Sequence, residues 1–195
     1  REDTMREVIA KTGAEFIHPY NDERIIAGQA TAAKEMIDYF DEKFSGKFDA
    51  IFAPVGGGGL LSGTLLSAEY FSNGTKVFAG EPEGAADAVL SVKSGNIEQA
   101  PYIKTVADGL LTTLGDITLP IISRYVREII LVSNEEILSA LYLIYERMKI
   151  VIEPSSAVAF AAFLKRRNEL TGRNIGIILS GGNVDLKSLQ SLSGL

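Results

Sequence analysis

DAIFAPVGGGGLLSGTLLSAEYF, residues 49–71, places four consecutive glycines between an unbroken apolar run and a segment with helical spacing. The run at 50–55 predicts a strand buried on both faces, and residues 60–71 predict a helix directly after it. Residues 56–59, the glycine loop, have no side chains to cover their backbone N–H groups. A strand, an open turn and a helix in this order predict a parallel α/β fold.

Apolar runs and helical patterns alternate in the same way along most of the chain. We predict strands at residues 16–17, 50–55, 76–80, 128–132 and 174–179. We predict helices at about 24–44, 60–71, 87–92, 134–148 and 154–170, and a long loop over 94–119, where periodicity is weakest. Near-continuous hydrophobicity of the strands indicates that helices cover both sheet faces. The predicted fold class is therefore α/β, an open, mainly parallel twisted sheet with helices on both faces, in a single domain over residues 1–195.

The composition limits the possible partners. With 25 acidic and 19 basic residues the net charge is -6, and the longest basic run is Lys165-Arg166-Arg167. This balance argues against nucleic acid and against an anionic membrane, which both attract basic surfaces. The absence of cysteine excludes disulfides, thiolate metal sites and cysteine nucleophiles. Neither a signal-peptide core nor an apolar span of about 18 residues is present, so we expect a soluble, cytoplasmic protein.

The glycine loop is a candidate anion site. Successive N–H groups and the N-terminus of the following helix converge at the end of a strand, which suits a phosphate. A plain flexible turn is the alternative, although one or two glycines would serve it. A nucleoside-triphosphate loop fails because no lysine follows the glycines. A dinucleotide site stays open as an alternative, since Gly57, Gly59 and Ser62 approximate its fingerprint and Glu81 ends the next strand.

A second loop follows the last predicted strand at the same edge of the sheet. Ser180 is followed by Gly181 and Gly182, so a ligand ring could approach the backbone while a hydroxyl faces its edge. The alternative is an ordinary N-cap for a helix from Asn183 onward. The only histidine, His18 between Ile17 and Pro19, is interpreted as a packing residue at a strand end.

Six motifs, taken in order, carry a family resemblance. They are FIHPYNDERIIAGQAT, PVGGGGLLSG, GEPEGAADA, TVADGLLTTLGDITLPII, ERMKIVIEPSSAV and ILSGGNVD. The set resembles the serine racemase and serine/threonine dehydratase group of fold-type II pyridoxal-phosphate enzymes, over nearly the whole chain. That resemblance implies a large, cofactor-binding domain, with about residues 1–15 as the tail of a smaller domain.

The resemblance implies a cofactor, pyridoxal 5′-phosphate, and residues that hold it. Its phosphate would lie on the N–H groups of Gly56, Gly57, Gly58 and Gly59, with Leu60 beside them. Ser180 would hydrogen-bond the pyridine nitrogen, Glu153 would lie near the ring, and the backbone of Gly109 would pass close to the cofactor. For Glu153 the alternative is a charge at a helix N-terminus beside Pro154.

The chain departs from the family in one respect. None of its ten lysines stands in the motif that carries the family's Schiff-base lysine, which we expect upstream of Arg1, and no catalytic residue is assigned within this chain.

We therefore expect part of a lyase or racemase for small β-hydroxy amino acids such as serine, threonine or hydroxyaspartate, inactive alone without its N-terminal segment. The family implies a homodimer. A dinucleotide-binding oxidoreductase domain and an inactive fragment that keeps only the fold are the alternatives.

The stretch GEPEGAAD suggests a divalent cation. Glu81, the Ala85 carbonyl and Asp87 can fold around one point, and their oxygens suit Mg²⁺, Ca²⁺ or Mn²⁺. Serine racemases bind a cation at this spacing, so the resemblance implies one here. The alternative is Asp87 stabilising a helix N-terminus, with Glu81 facing solvent.

Overall fold

The computed structural model describes residues 2–185, which form a four-stranded parallel sheet in the order β3-β2-β1-β4. The strands are β1 (Ala50–Pro54), β2 (Lys76–Pro82), β3 (Glu128–Val132) and β4 (Ile175–Ile177). The helices are α1 (Glu2–Thr12), α2 (Glu23–Phe44), α3 (Gly59–Phe71), α4 (Ala88–Ser94), α5 (Thr118–Tyr125), α6 (Asn134–Met148) and α7 (Pro154–Arg166). Short 3-10 turns lie at Glu83–Ala85, Asp108–Leu110 and Arg167–Leu170.

The register of the parallel strands aligns their carboxyl ends. Ala50 of β1 lies beside Lys76 of β2 and Ile175 of β4, and Pro54 lies beside Gly80. Three loops therefore open at one sheet edge: the glycine loop after β1, the segment after β2, and the segment after β4. A ligand at this edge can contact residues that are more than a hundred positions apart in the chain.

Alternate residues of β1 point into two separate hydrophobic cores. Phe52 packs with Phe78, α6 and α7 on one face of the sheet. Ile51 and Ala53 pack with α2, α3 and α5 on the other. Burying a side chain as large as phenylalanine or isoleucine stabilises the fold by about 1.5–3 kcal/mol. The parallel sheet covered on both faces is thus confirmed.

The structure differs from the sequence prediction at several boundaries. Residues 16–17 do not form a strand, because no described strand lies beside them; Phe16 and Ile17 are 44% and 50% exposed. The predicted loop over 94–119 ends where α5 begins at Thr118, a helix that the sequence analysis missed because it covers only two turns. The last strand, Ile175–Ile177, is shorter than the predicted 174–179. Within residues 2–185 no helix is both long and apolar enough to span a bilayer.

Helices α2 and α3 pack so closely that a glycine is required at their contact. A Cβ on Gly63 would lie 2.5 Å from the backbone nitrogen of Ala30 and 2.7 Å from the carbonyl oxygen of Ile26. Neither atom can move without shifting α2. A Cβ on Gly28, also in α2, would meet nothing within 4 Å.

These two glycines give a matched test of the packing. Gly63→Ala is expected to lower the free energy of unfolding by about 1–3 kcal/mol, because the helices must separate. Gly28→Ala is expected to raise it by about 0.5–1 kcal/mol, because alanine is the better helix former. Chemical denaturation measures both. Equal effects of the two substitutions would contradict the close contact.

Candidate functional site

The largest grouping of predicted site residues surrounds one cavity of about 450 Å³ at the carboxyl edge of the sheet. All eight predicted cofactor-binding residues line it: Gly56, Gly57, Gly58, Gly59, Leu60, Gly109, Glu153 and Ser180. They come from three separate loops and the start of α7. The structure therefore brings these residues together, while their role in binding a cofactor stays a prediction.

The N-terminus of α3 faces this cavity without a side-chain cap. Its N-cap is Gly58, in a left-handed conformation with φ of 88°, and no side chain accepts a hydrogen bond from the first turn. The first bond within the helix runs from the Ser62 N–H to the Gly58 carbonyl, at 2.8 Å. The N–H groups before Ser62 thus have no partner inside the helix and carry partial positive charge. This arrangement can bind an anion.

The glycine loop is also confined by neighbouring side chains. A Cβ on Gly57 would lie 2.4 Å from the ring of Tyr20, and a Cβ on Gly58 would lie 2.7 Å from Ile122 and 2.9 Å from Thr118. Larger residues are therefore excluded by packing at both positions, and at Gly58 also by the left-handed φ. The glycines leave room for these neighbouring side chains and line the cavity with backbone alone.

Ser180 lies at the opposite wall of the cavity, in a loop held by Glu153. The Oε2 atom of Glu153 accepts a hydrogen bond from the Asn183 N–H at 3.0 Å, and the Glu153 N–H donates to the Gly181 carbonyl at 3.2 Å. A Cβ on Gly181, whose φ is 101°, would lie 2.6 Å from Glu153 Oε1. Residues 181–185 are not helical, and the rest of the helix considered from Asn183 lies outside the described residues. Glu153 thus fixes the serine loop against α7.

Gly109 is attached to α7 by a residue that the sequence analysis missed. Its N–H donates to Oγ of the buried Ser155 at 2.9 Å. A Cβ on Gly109 would lie 2.8 Å from the same Oγ. The backbone of Gly109 therefore lines the cavity, while its N–H is hydrogen-bonded to Ser155.

The segment after residue 17 provides a further wall that sequence reasoning did not assign. Nδ1 of His18 accepts hydrogen bonds from the N–H groups of Asn21 at 2.9 Å and Tyr20 at 3.4 Å, so the imidazole stabilises a turn. Tyr20 and Gln29 line the cavity. The available signal was the motif HPYND, in which proline and asparagine indicate a turn. The prediction that His18 packs at a strand end is wrong, because residues 16–17 form no strand; its ring packs against Phe16 and Tyr20 instead.

Glu81 and Asp87, the carboxylate pair, are buried one strand away from the glycine loop. Glu81 is 1% exposed, and its two oxygens accept hydrogen bonds from Ala88 N at 2.6 Å and Val89 N at 3.0 Å. Asp87 is 4% exposed; it stands at the N-cap of α4 but makes no side-chain capping bond, and its Oδ2 has no hydrogen-bond partner. Glu81 therefore does not face solvent, and it caps the helix in place of Asp87. The alternative interpretation, in which Glu81 faces solvent, is therefore wrong. Asp87 does stand at a helix N-terminus, as that interpretation expects, but its side chain does not cap the helix.

Burial makes ionisation of this carboxylate pair unfavourable in free energy. Burial raises the pKa of Glu81 to about 7, against the lowering effect of its two backbone donors, and the nearby charge of Asp87 raises it further. Burial also raises the pKa of Asp87 to about 6. The Ala85 carbonyl accepts a hydrogen bond from the Asp87 N–H at 3.2 Å. No cluster of three or more acidic, histidine or cysteine side chains suited to a metal occurs within residues 2–185.

Tyr20 lines the cavity, and its hydroxyl is close enough to Asp87 to be affected by the charge of that carboxylate. Its ring fills the space beside Gly57. Burial and the charge of Asp87 raise the pKa of this hydroxyl. The ring of Tyr20 therefore lies beside the glycine loop, while the pKa of its hydroxyl responds to the charge of Asp87.

Comparison with known proteins gives the same family throughout. A family profile described as "Pyridoxal-phosphate dependent enzyme" matches residues 1–181. The β-hydroxyaspartate dehydratase of Paracoccus denitrificans is 47% identical over 189 residues, which are 97% of this chain and 58% of that protein. Serine racemase of Dictyostelium discoideum superimposes with a TM-score of 0.84 at 46% identity, over 95% of this chain and 59% of that structure. The processed form of threonine deaminase isoform 2 from Solanum lycopersicum superimposes with a TM-score of 0.86 at 30% identity, over 96% and 51%. The chain spans between half and two thirds of the length of these relatives.

The carboxylate pair predicts how stability depends on pH when divalent cations are removed with a chelator. In the folded state the pKa values of Glu81 and Asp87 are about 7 and about 6, whereas their ordinary values are 4.5 and 3.8. At pH values between the ordinary and the raised pKa values, the folded state binds more protons than the unfolded chain. The free energy of unfolding therefore falls as the pH rises from about 4 to 7. Asp87→Asn should flatten this fall, measured by denaturation across the range. An unchanged slope in Asp87→Asn would show that the pair does not titrate in this way.

Proposed function

Because this chain belongs to the family of pyridoxal-phosphate-dependent enzymes, we propose that it is the cofactor-binding domain of an ammonia-lyase or racemase. The substrates would be small β-hydroxy amino acids such as serine, threonine or hydroxyaspartate. The observation that carries the proposal is the uncapped N-terminus of α3, whose glycine loop opens onto the cavity opposite Ser180. The relatives named above act on amino acids of this class according to their names.

The phosphate of pyridoxal 5′-phosphate would be held by backbone donors. The N–H groups of the glycine loop and Leu60 supply hydrogen bonds, and the α3 dipole adds favourable charge interaction. No basic side chain lines the cavity among residues 2–185, so the affinity for phosphate would come from the backbone. Leu60 also closes one side of the cavity with apolar surface.

Ser180 would face the pyridine nitrogen and set its charge. A hydroxyl cannot stabilise a protonated ring nitrogen as a carboxylate would. When bound, the cofactor supplies an electron sink for the amino acid's α-carbon. With a hydroxyl at this position that sink is moderate, which suits α-proton abstraction followed by β-elimination or racemisation. Glu153 supports Ser180 through Gly181 and Asn183 and is not the ring's charge partner.

The covalent attachment point would come from outside the cavity wall described here. No lysine lines the cavity among residues 2–185. We propose that an N-terminal segment supplies the lysine and the remaining substrate contacts. The same segment would cover the apolar side chains of Phe16 and Ile17, which are exposed here. As in the family, we propose a homodimer for the whole protein.

A dinucleotide cofactor is disfavoured by Glu81. In that alternative the acidic residue after the second strand binds a ribose hydroxyl from the open edge of the sheet. Here the carboxylate is buried, and both of its oxygens already accept backbone N–H groups at the start of α4. It is therefore not available to a nucleotide in the cavity.

A divalent cation, Mg²⁺ with Ca²⁺ or Mn²⁺ as substitutes, would fit the carboxylate pair together with the Ala85 carbonyl. The unpartnered Oδ2 of Asp87 supports this proposal, because a buried carboxylate oxygen without a partner is costly. A cation would replace the protons that burial favours and would be completed by water. Only oxygen atoms are offered, which suits a hard cation.

Phosphate binding can be tested at Leu60 without disturbing the glycines. Gly57 is unsuitable, since any side chain there meets Tyr20. Leu60→Asp places a carboxylate at the α3 N-terminus, where it should occupy the donors and repel phosphate, while Leu60→Asn has the same shape without the charge. In the parent protein and in Leu60→Asn, inorganic phosphate should shift the amide NMR signals of residues 56–60. In Leu60→Asp the shifts should vanish.

The phosphate experiment also decides between cofactors. If inorganic phosphate leaves the signals of residues 56–60 of the parent protein unchanged, the proposed cradle is wrong. If NADH shifts them at much lower concentration than pyridoxal 5′-phosphate, the dinucleotide alternative is correct instead.

The cation proposal is tested with Mn²⁺ alone. Crystals soaked in Mn²⁺ should show an anomalous peak between Glu81 and Asp87, and Mn²⁺ should raise the melting temperature by mass action. Asp87→Asn should abolish both effects while leaving the fold intact. Absence of a peak, with the two carboxylates ordered and pointing apart, would contradict the site.

A further inference from the structure

The carbonyl of Gly57 is held by a single buried hydroxyl on the side of the glycine loop away from the cavity. Thr118, which is 0% exposed, donates from Oγ1 to the Gly57 carbonyl at 2.9 Å. The same Oγ1 accepts a hydrogen bond from the Gly115 N–H at 2.8 Å. Thr118 does not line the cavity. It therefore acts on the loop from behind.

This hydrogen bond fixes the direction of the next N–H group. The described chain contains no cis peptide bond, so the carbonyl of Gly57 and the N–H of Gly58 point in opposite directions. With the carbonyl directed at Thr118, the Gly58 N–H is directed away from Thr118, and Gly58 itself lines the cavity. Glycine at φ of 88° has little intrinsic preference for this peptide orientation. An external contact is thus needed to select it.

Thr118 is itself held in place by the segment that carries Tyr20. Oδ1 of Asn21 accepts a hydrogen bond from the Ile117 N–H at 3.0 Å, and its Nδ2 donates to Asp116 at 2.6 Å. A Cβ on Gly115 would lie 2.1 Å from Asn21 Oδ1, so the turn before Thr118 contacts Asn21 directly. The position of the Thr118 hydroxyl is therefore set by residues distant in the sequence.

We infer that Thr118 is a positioning residue, whose hydroxyl orients the Gly57–Gly58 peptide so that the Gly58 N–H donates to the cofactor phosphate. The inference rests on the proposed function, since it assigns the contact that prepares the proposed phosphate cradle. Valine at this position has nearly the same shape but leaves the Gly57 carbonyl without its donor. Serine keeps the hydroxyl and loses only a methyl group.

The test compares pyridoxal 5′-phosphate with pyridoxal, which lacks the phosphate, in the full protein. The readout is the ratio of their dissociation constants, which a general loss of stability does not change. Thr118→Val should weaken binding of pyridoxal 5′-phosphate about tenfold, equivalent to the loss of one hydrogen bond to a charged group, and leave pyridoxal within about twofold. Thr118→Ser should restore the ratio to within about threefold of the parent protein.

Thr75 provides the matched control. Its Oγ1 also donates to a backbone carbonyl, that of Phe48, at 2.6 Å, but at the opposite end of the strands. Thr75→Val should lower the melting temperature and leave the ratio of dissociation constants unchanged. A ratio that stays unchanged in Thr118→Val, or that changes equally in Thr75→Val, would overturn the assignment.

A direct measurement on the parent protein covers the case in which Thr118→Val does not fold. Inorganic phosphate should shift the Gly58 amide proton downfield at least as far as its neighbours in the glycine loop. If Gly57 and Gly59 respond and Gly58 does not, Thr118 does not have this role although the cradle exists. If none of them responds, the proposed function itself fails.

Discussion

The parallel pairing of β1 with both β2 and β4 is the constraint on which the candidate site depends. It continues beyond the paired residues: the Val55 N–H donates to the Gly80 carbonyl, and the Ile178 N–H donates to the Phe52 carbonyl, each at 2.9 Å. These bonds hold the ends of three strands level. The glycine loop, the carboxylate pair and the Ser180 loop consequently meet at one edge, although more than a hundred residues separate the glycine loop from Ser180. Without that alignment each loop would be an ordinary connection.

The glycine loop shows how packing and recognition impose the same residue type. Tyr20 and Ile122 occupy the space that side chains at Gly57 and Gly58 would need. The same lack of side chains leaves the N–H groups at the start of α3 uncovered. Close packing behind the loop makes its backbone rigid, and a rigid set of donors binds an anion with less loss of conformational entropy. The loop is thus better described as a buried, supported surface than as a flexible turn.

Charge is distributed unevenly around this edge. Glu81 and Asp87 are buried beneath the loops, where backbone donors hold Glu81 at the start of α4. Two carboxylates in such a position destabilise the fold when both are ionised, because burial removes the water that would solvate them. The fold retains this pair at a cost in stability, and Oδ2 of Asp87 is buried without a hydrogen-bond partner.

The sequence by itself determined the sheet and the identity of the loops that matter. Near-continuous apolar runs identify strands β1, β2 and β3 closely, because strands buried on both faces consist mostly of apolar residues; the buried Glu81 near the end of β2 is an exception. Glycines and serine directly after strands pointed to the cavity, and every predicted cofactor-binding residue lies on it. Tertiary structure alone decided which groups support these loops. Thr118 reaches Gly57, Ser155 reaches Gly109 and Asn21 reaches Ile117 across separations of 61, 46 and 96 residues. Sequence periodicity reports which face of an element is buried, whereas such contacts depend on how elements far apart in the chain pack together in three dimensions.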